Sequence, residues 1–256
     1  MIFTIARKEL KSLFASPLAW MVLTAISLIT GYAFLKRLDD FLQIQPQLVQ
    51  LASPPGVTEL VVAPLYATTA IVMLFASPLL GMRLIAEERR NQTMVFLTSA
   101  PVSITQIVLG KFLGLMLFLA LIALLVTAMP LSLAGSTDLD YGLLGSLTLG
   151  LILLAAGFSA LSLYISSLTA HPVAAAFGAF AALLLMMLMS EAAGDAVRAR
   201  GWHVPAAFVQ VFSPLKNFEP LGKGLVDTYA IACSVLLAVV FLVLTVRRLD
   251  ARRLRG

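Results

Sequence analysis

Five long apolar windows of this chain hold no charged residue, and they constrain the fold more tightly than any motif. Ser12–Leu35, Leu60–Met82, Phe112–Thr137, Tyr141–Ser190 and Thr228–Val246 contain no Asp, Glu, Lys or Arg. Crossing about 30 Å of hydrocarbon takes roughly 20 apolar residues in a helix. Short of a closed barrel, only a helix satisfies its own backbone polar groups on the way. The fourth window is too long for one crossing. It divides at Thr169-Ala170-His171-Pro172, because proline disfavours helix in the residue before it and is well placed to begin a new one. The windows therefore predict an all-α polytopic membrane protein. Its six transmembrane helices fall at residues 17–35, 60–83, 107–131, 142–168, 172–190 and 228–246. The composition agrees: 12% of residues are charged, about half the share of a soluble domain, too few to face water on all sides.

The basic residues orient the chain. With the N-terminus inside, the inner segments hold 12 of the 18 basic residues and 4 of the 13 acidic ones, a net +8, and the outer segments net −3. That positive-inside bias predicts both termini on the cytoplasmic side. No small-residue cleavage site closes the first apolar run, so it is read as a retained span. Ahead of it, residues 1–15 predict an amphipathic elbow helix. Phe3, Ala6, Leu10, Leu13 and Phe14 share one face, and Thr4, Arg7, Lys8 and Lys11 the other. Such a helix lies in the headgroup plane, with Arg7, Lys8 and Lys11 at the membrane surface. It is either an anchor for the first span or, in addition, a contact for a cytoplasmic partner. Outside the membrane, residues 36–59 and 191–227 are the large segments. In the second, the AAFVQVF stretch suggests a short helix or re-entrant piece.

Catalytic patterns are missing. There is no G-x-x-x-x-G-K-[ST] phosphate-binding loop, since Gly110-Lys111 and Gly222-Lys223 are lone pairs. No G-x-S-x-G or H-E-x-x-H occurs. The single Cys233 gives no disulfide framework, and His171 and His203 have no ligand partner nearby in sequence. Ser159, Ser162, Ser166 and Ser167 fall on the fourth span, where serine usually serves packing. The basic excess fits a membrane surface rather than nucleic acid. The central portions of the spans carry no ionisable group, which disfavours proton-coupled carriage. Driving energy then has to enter from outside the bilayer.

The inner link at 84–106 offers an entry point. Glu87-Glu88-Arg89-Arg90 end one apolar helix, Met94-Val95-Phe96-Leu97 form an apolar patch, and Pro101 stops that segment. Ser103 and Gln106 then form a capping box ahead of the next apolar run. An apolar patch bracketed by charges on the water side suggests a partner surface.

The stretch MRLIAEERRNQTMVFLTSAPVSITQIVLGKFLG resembles the signature region of type-2 ABC exporter permeases. It is most similar to the branch named for gliding motility and nitrous-oxide-reductase maturation. Glu87, Glu88, Thr93, Leu97, Ala100, Pro101, Val102, Ser103, Gly110 and Lys111 fit that pattern. ISSLTAHPVAAA and FSPLKNFEPLGKGLVDTYAIA resemble the family's inner turn after the fourth span and its approach to the last one. The chain departs from the pattern at Gln92, where the family has glycine, and at Val95, where it has an acid.

The resemblance implies the membrane permease subunit of an ABC transporter in a prokaryotic inner membrane. It would pair with a second copy or a homologous permease and move an unidentified substrate. The chain itself would carry no cofactor; ATP and Mg would sit on a separate ABC ATPase subunit. Glu87, Glu88, Arg89, Arg90, Thr93, Met94, Phe96 and Leu97 would contact that ATPase, with Ser166, Ser167, Leu168, Thr169 and Ala170 as a second patch. Glu87 and Glu88 are expected at headgroup level, within reach of water, where ion pairs are worth about 0–1 kcal/mol. Removing both should then leave the fold intact and break the complex. The alternative is a mechanical or assembly subunit that passes ATP-driven motion to an extracytoplasmic auxiliary protein without carrying substrate.

Overall fold

The computed structural model describes residues 1–48, 55–92, 102–200 and 211–253, leaving aside the side chains of 48 and 193–200. All regular elements among them are helical. They are α1 (Ile2–Phe14), α2 (Pro17–Leu48), α3 (Thr58–Arg90), α4 (Ile104–Leu131), α5 (Tyr141–Leu168), α6 (Pro172–Arg200), α7 (Pro214–Gly222) and α8 (Thr228–Arg253). Six of these, α2 to α6 and α8, are long and apolar enough to cross a membrane.

Several boundaries follow from local chemistry. α6 begins at Pro172, where proline's fixed φ suits a first helical turn. α4 opens with the anticipated box: the Gln106 N–H donates to Ser103 Oγ (3.3 Å) and the Ser103 N–H to Gln106 Oε1 (3.4 Å). α5 is capped by Asp140, whose carboxylate accepts the Leu143 N–H at 3.0 Å. Other helices outlast their charge-free windows. α2 runs through Lys36 and Arg37 to Leu48, and α3 continues to Arg90. Charge marks where the solvent changes, whereas a helix stops only where its backbone does.

α5 is the central helix. It is the most buried of the six and packs against α3, α4, α6, α7 and α8. With no apolar–aqueous contrast in lipid, such contacts rest on close packing and small residues. At the α3–α5 crossing, a Cβ added to Gly81 would lie 2.6 Å from the Ser162 Cβ. Ser77 Oγ and Ser162 Oγ stand 3.5 Å apart beside it. Gly81→Val is therefore expected to force the two helices apart and cost about 1–3 kcal/mol. A thermal unfolding midpoint equal to that of the parent protein in detergent would sink this prediction.

Toward the end of the bundle opposite Arg90, Tyr66 Oη donates to Thr127 Oγ1 (2.6 Å) and lies 3.0 Å from Thr148 Oγ1, joining α3, α4 and α5 through partly buried hydroxyls. α7 lies against the same half of α5. The Phe218 ring sits where a Cβ on Gly150 would come within 2.8 Å, and Ser146 Oγ donates to the Leu221 carbonyl at 2.9 Å. Of the AAFVQVF stretch, all but Val211 and Phe212 lies outside the described residues.

Candidate functional site

Helix α1 packs on the first turns of α4, and glycine makes that possible. A Cβ on Gly110 would lie 2.6 Å from the Ile5 Cβ, and one on Gly114 would lie 2.7 Å from the Glu9 Cβ. These are Cβ atoms near the backbone rather than flexible tips, so nothing larger than glycine fits without moving α1. The buried line of α1 is Ala6, Glu9 and Leu13, with Leu10 and Phe14 half-buried. Phe3, expected on the apolar face, is exposed instead. Ile2 and Ile5, rather than Phe3, meet α4 at Gly110. Arg7, Lys8 and Lys11 are on the exposed side.

Glu9 therefore points into the protein, and a cation meets it there. Lys111 Nζ lies 3.0 Å from Glu9 Oε1 and 2.7 Å from Glu88 Oε1. Lys8 Nζ approaches the same two carboxylates at 3.2 and 3.4 Å. The Lys111 side chain is 1% exposed, Glu9 8%, Glu88 15% and Lys8 60%. Two carboxylates thus alternate with two ammonium groups, and the cluster carries no net charge. Burial of part of Lys8 opposes its charged form, but Glu9 and Glu88 outweigh that and hold its ammonium above the ordinary lysine value.

The end of α3 is fastened on its other side as well. Arg83 Nε pairs with Glu87 Oε2 at 2.6 Å, and Arg83 Nη1 donates to Ser16 Oγ. Arg89 Nη1 donates to the Ser167 and Thr169 carbonyls at 3.0 and 3.2 Å, which satisfies acceptors at the end of α5. Arg252 Nη2 reaches the Leu168 carbonyl between them at 3.4 Å. Between Arg83 and Glu87 the helix is π-wound. A π turn widens the ladder and leaves backbone donors out of register, and those donors need partners elsewhere. Ser166 supplies one: its Oγ accepts from Ala86 N–H (3.0 Å) and Ile85 N–H (3.3 Å) and donates to the Met82 carbonyl (3.1 Å).

Two features of the sequence-based site change accordingly. The Glu88 carboxylate is not at a watery surface; it is sealed into the cluster by Lys111, so its removal bears on the fold. Ser166 and Ser167 are fully buried within the chain and present no side chain outward, unlike exposed Leu168 and half-buried Thr169 and Ala170. Arg90, Asn91 and Gln92 are exposed, and Glu87 is partly so. Thr93, Met94, Phe96 and Leu97 lie outside the described residues. Gln92 has φ +57°, a left-handed conformation that glycine adopts without a steric penalty. The position therefore suits the glycine that the resembling pattern carries.

Glu9 and Lys111 escaped sequence reasoning as site residues. The available signals were local ones: an acid three residues after Ala6 and four before Leu13, and a lysine inside an otherwise apolar run. Their mutual contact spans 102 positions and had none.

Residues 3–254 match the family model described as ABC-2 family transporter protein. No curated protein matches the chain.

Proposed function

Since the chain belongs to the ABC-2 family of transporter proteins, and is thereby a permease subunit of an ABC transporter in the plasma membrane, we propose that it is driven by ATP hydrolysed on a separate ATPase subunit that docks at the link after α3. One observation carries this reading. The α3 end is tied to α1, α4 and the turn after α5, so a force applied at the adjoining link reaches most of the bundle. Such transmission is rigid-body coupling of packed elements. The exposed side chains of Arg90, Asn91 and Gln92, with the following 93–101, are the candidate contact, and the turn at 168–170 flanks it.

A second permease subunit completes the pathway in this reading. The α3–α6 face supports it: Phe75, Pro78, Leu79, Met82, Val173 and Phe177 line an apolar groove of about 340 Å³. The fit of Glu87, Glu88, Ala100, Pro101, Val102, Ser103, Gly110 and Lys111 supports the gliding-motility and nitrous-oxide-reductase-maturation branch. Coexpression with the ABC ATPase encoded nearest its gene tests the whole reading. The purified chain alone is expected to hydrolyse no ATP above background, and the assembly, holding two copies of each subunit, to turn over ATP. Turnover by the isolated, contaminant-free chain would overturn it.

A mechanical role without cargo has its own support. α7, in the outer segment, is bound directly to the central helix through Phe218 and Leu221. Motion of α5 would therefore be felt at the outer surface. Solute uptake or efflux by vesicles bearing the assembly argues against that role, and capture of an outer partner without any flux argues for it.

The cytoplasmic placement of both termini rests on the charge bias. A single cysteine at Gln92 is expected to react only with reagent supplied from the cytoplasmic side, and one at Gly135, exposed between α4 and α5, only from outside. Labelling of both from one side contradicts the orientation.

A further inference from the structure

We propose, resting on the reading just given, that Glu9 and Lys111 are positioning residues for the ATP-driven step. Through Glu88 they fasten the elbow helix α1 and the head of α4 to the end of α3, so that the three move as one body when the link is displaced. From the sequence the elbow reads as a membrane anchor, with or without a partner contact, and the link's acids as a docking surface. The geometry adds a direct connection between them. Lys111 Nζ stands between Glu9 of α1 and Glu88 of α3 at 3.0 and 2.7 Å, and belongs itself to α4. One buried atom thus holds three elements.

The surroundings make the junction stiff. Gly110 and Gly114 bring α1 down onto the α4 backbone, where the Ile2 and Ala6 carbonyls would lie 3.1 and 3.2 Å from added Cβ atoms. Phe14 packs at a tilt against Phe118 with ring centroids 5.2 Å apart, one helical turn beyond Gly114. α1 therefore cannot roll on α4 without breaking close packing. What joins this α1–α4 unit to the charged end of α3 is the ion cluster. An apolar contact could slide along the helix axis. Four alternating charges have a single register, because displacement by one turn would part every pair and set uncharged residues (Ile5 or Leu13, Leu84 or Gln92, Ile107 or Leu115) in their place. That property suits a joint that must pass on a push without slip, and it gives the charge of Lys111 a role that bulk alone would not fill.

The test uses the permease assembled with its ATPase in lipid nanodiscs, read by ATP turnover and by amide exchange across residues 2–14. Lys111→Met keeps the apolar stem and removes the cation. It is expected to lower turnover by about tenfold and to speed elbow exchange. The reciprocal variant Lys8→Glu, Glu9→Lys, Glu88→Lys and Lys111→Glu inverts all four charges, keeps them alternating and is expected to restore most of both. Lys111→Met with unchanged turnover and a still protected elbow overturns the proposal. So does a reciprocal variant whose elbow is protected while turnover stays lost, because the residues would then act on a partner rather than on each other. Should Lys111→Met fail to fold, the reciprocal variant alone decides between these outcomes. A parent assembly that turns over no ATP overturns the functional reading and this proposal together, which distinguishes that failure from the others.

Discussion

Lys111→Met, measured for stability rather than turnover, is expected to cost about 3–5 kcal/mol, the penalty for removing one member of a buried ion group. The loss arises because Glu9 and Glu88 would be left close together without the buried ammonium between them, and Lys8, which also reaches both, is largely in water. Glu9 cannot retreat from the site, since its Cβ lies directly over Gly114. The contrasting variant removes all three buried charges: Glu9→Leu, Glu88→Leu and Lys111→Met. It is expected to be far milder, because buried ion groups replaced by apolar residues of similar volume are often neutral or stabilising by about 1–4 kcal/mol. Unfolding in detergent, followed by heat or denaturant, separates the two. If the single and triple variants lose the same amount, packing rather than charge holds the elbow. The pair of variants also divides stability from transmission. A triple variant that is stable yet slow in ATP turnover would show that the charges serve register.

The six membrane helices were legible because lipid imposes one rule, the exclusion of charge, over about 20 residues at a time. A pattern of that length survives without tertiary information. The division at Pro172 and the Ser103–Gln106 box were legible for a different reason: each is a local backbone requirement met by residues within a few positions. The helix ends at Leu48 and Arg90 were not, because nothing forces a helix to stop on reaching water. Neither was the cluster. Glu9 and Lys111 look like ordinary inner-surface charges when each is read alone, and only the glycine face of α4 turns them toward each other. Glu88 reads from the sequence as facing outward, because charge at a helix end normally seeks solvent, and its contact with Lys111 has no local signature.

The π turn at Arg83–Glu87 leads to the second large effect, and it had no sequence signature at all. Ser166→Ala is expected to destabilise the protein by about 1–3 kcal/mol, the cost of leaving buried polar groups unpaired. The Ala86 N–H, the Ile85 N–H and the Met82 carbonyl all lose the Ser166 hydroxyl together. The backbone has one inexpensive escape, which is to rewind the π turn into α. Rewinding changes the register of everything beyond it by one residue, a rotation of about 100° about the helix axis. Glu88 lies immediately beyond, so rewinding would carry its carboxylate away from Lys111. The Ser166 hydroxyl and the ion cluster are therefore expected to be coupled, although they sit on opposite sides of α3. In a double-mutant cycle, Lys111→Met should cost less in the Ser166→Ala background than in the parent, with a coupling of about 0.5–3 kcal/mol. Losses that simply add would show that the turn keeps its π winding without Ser166, and the serine would then be a local cap with no hold on the register of the link.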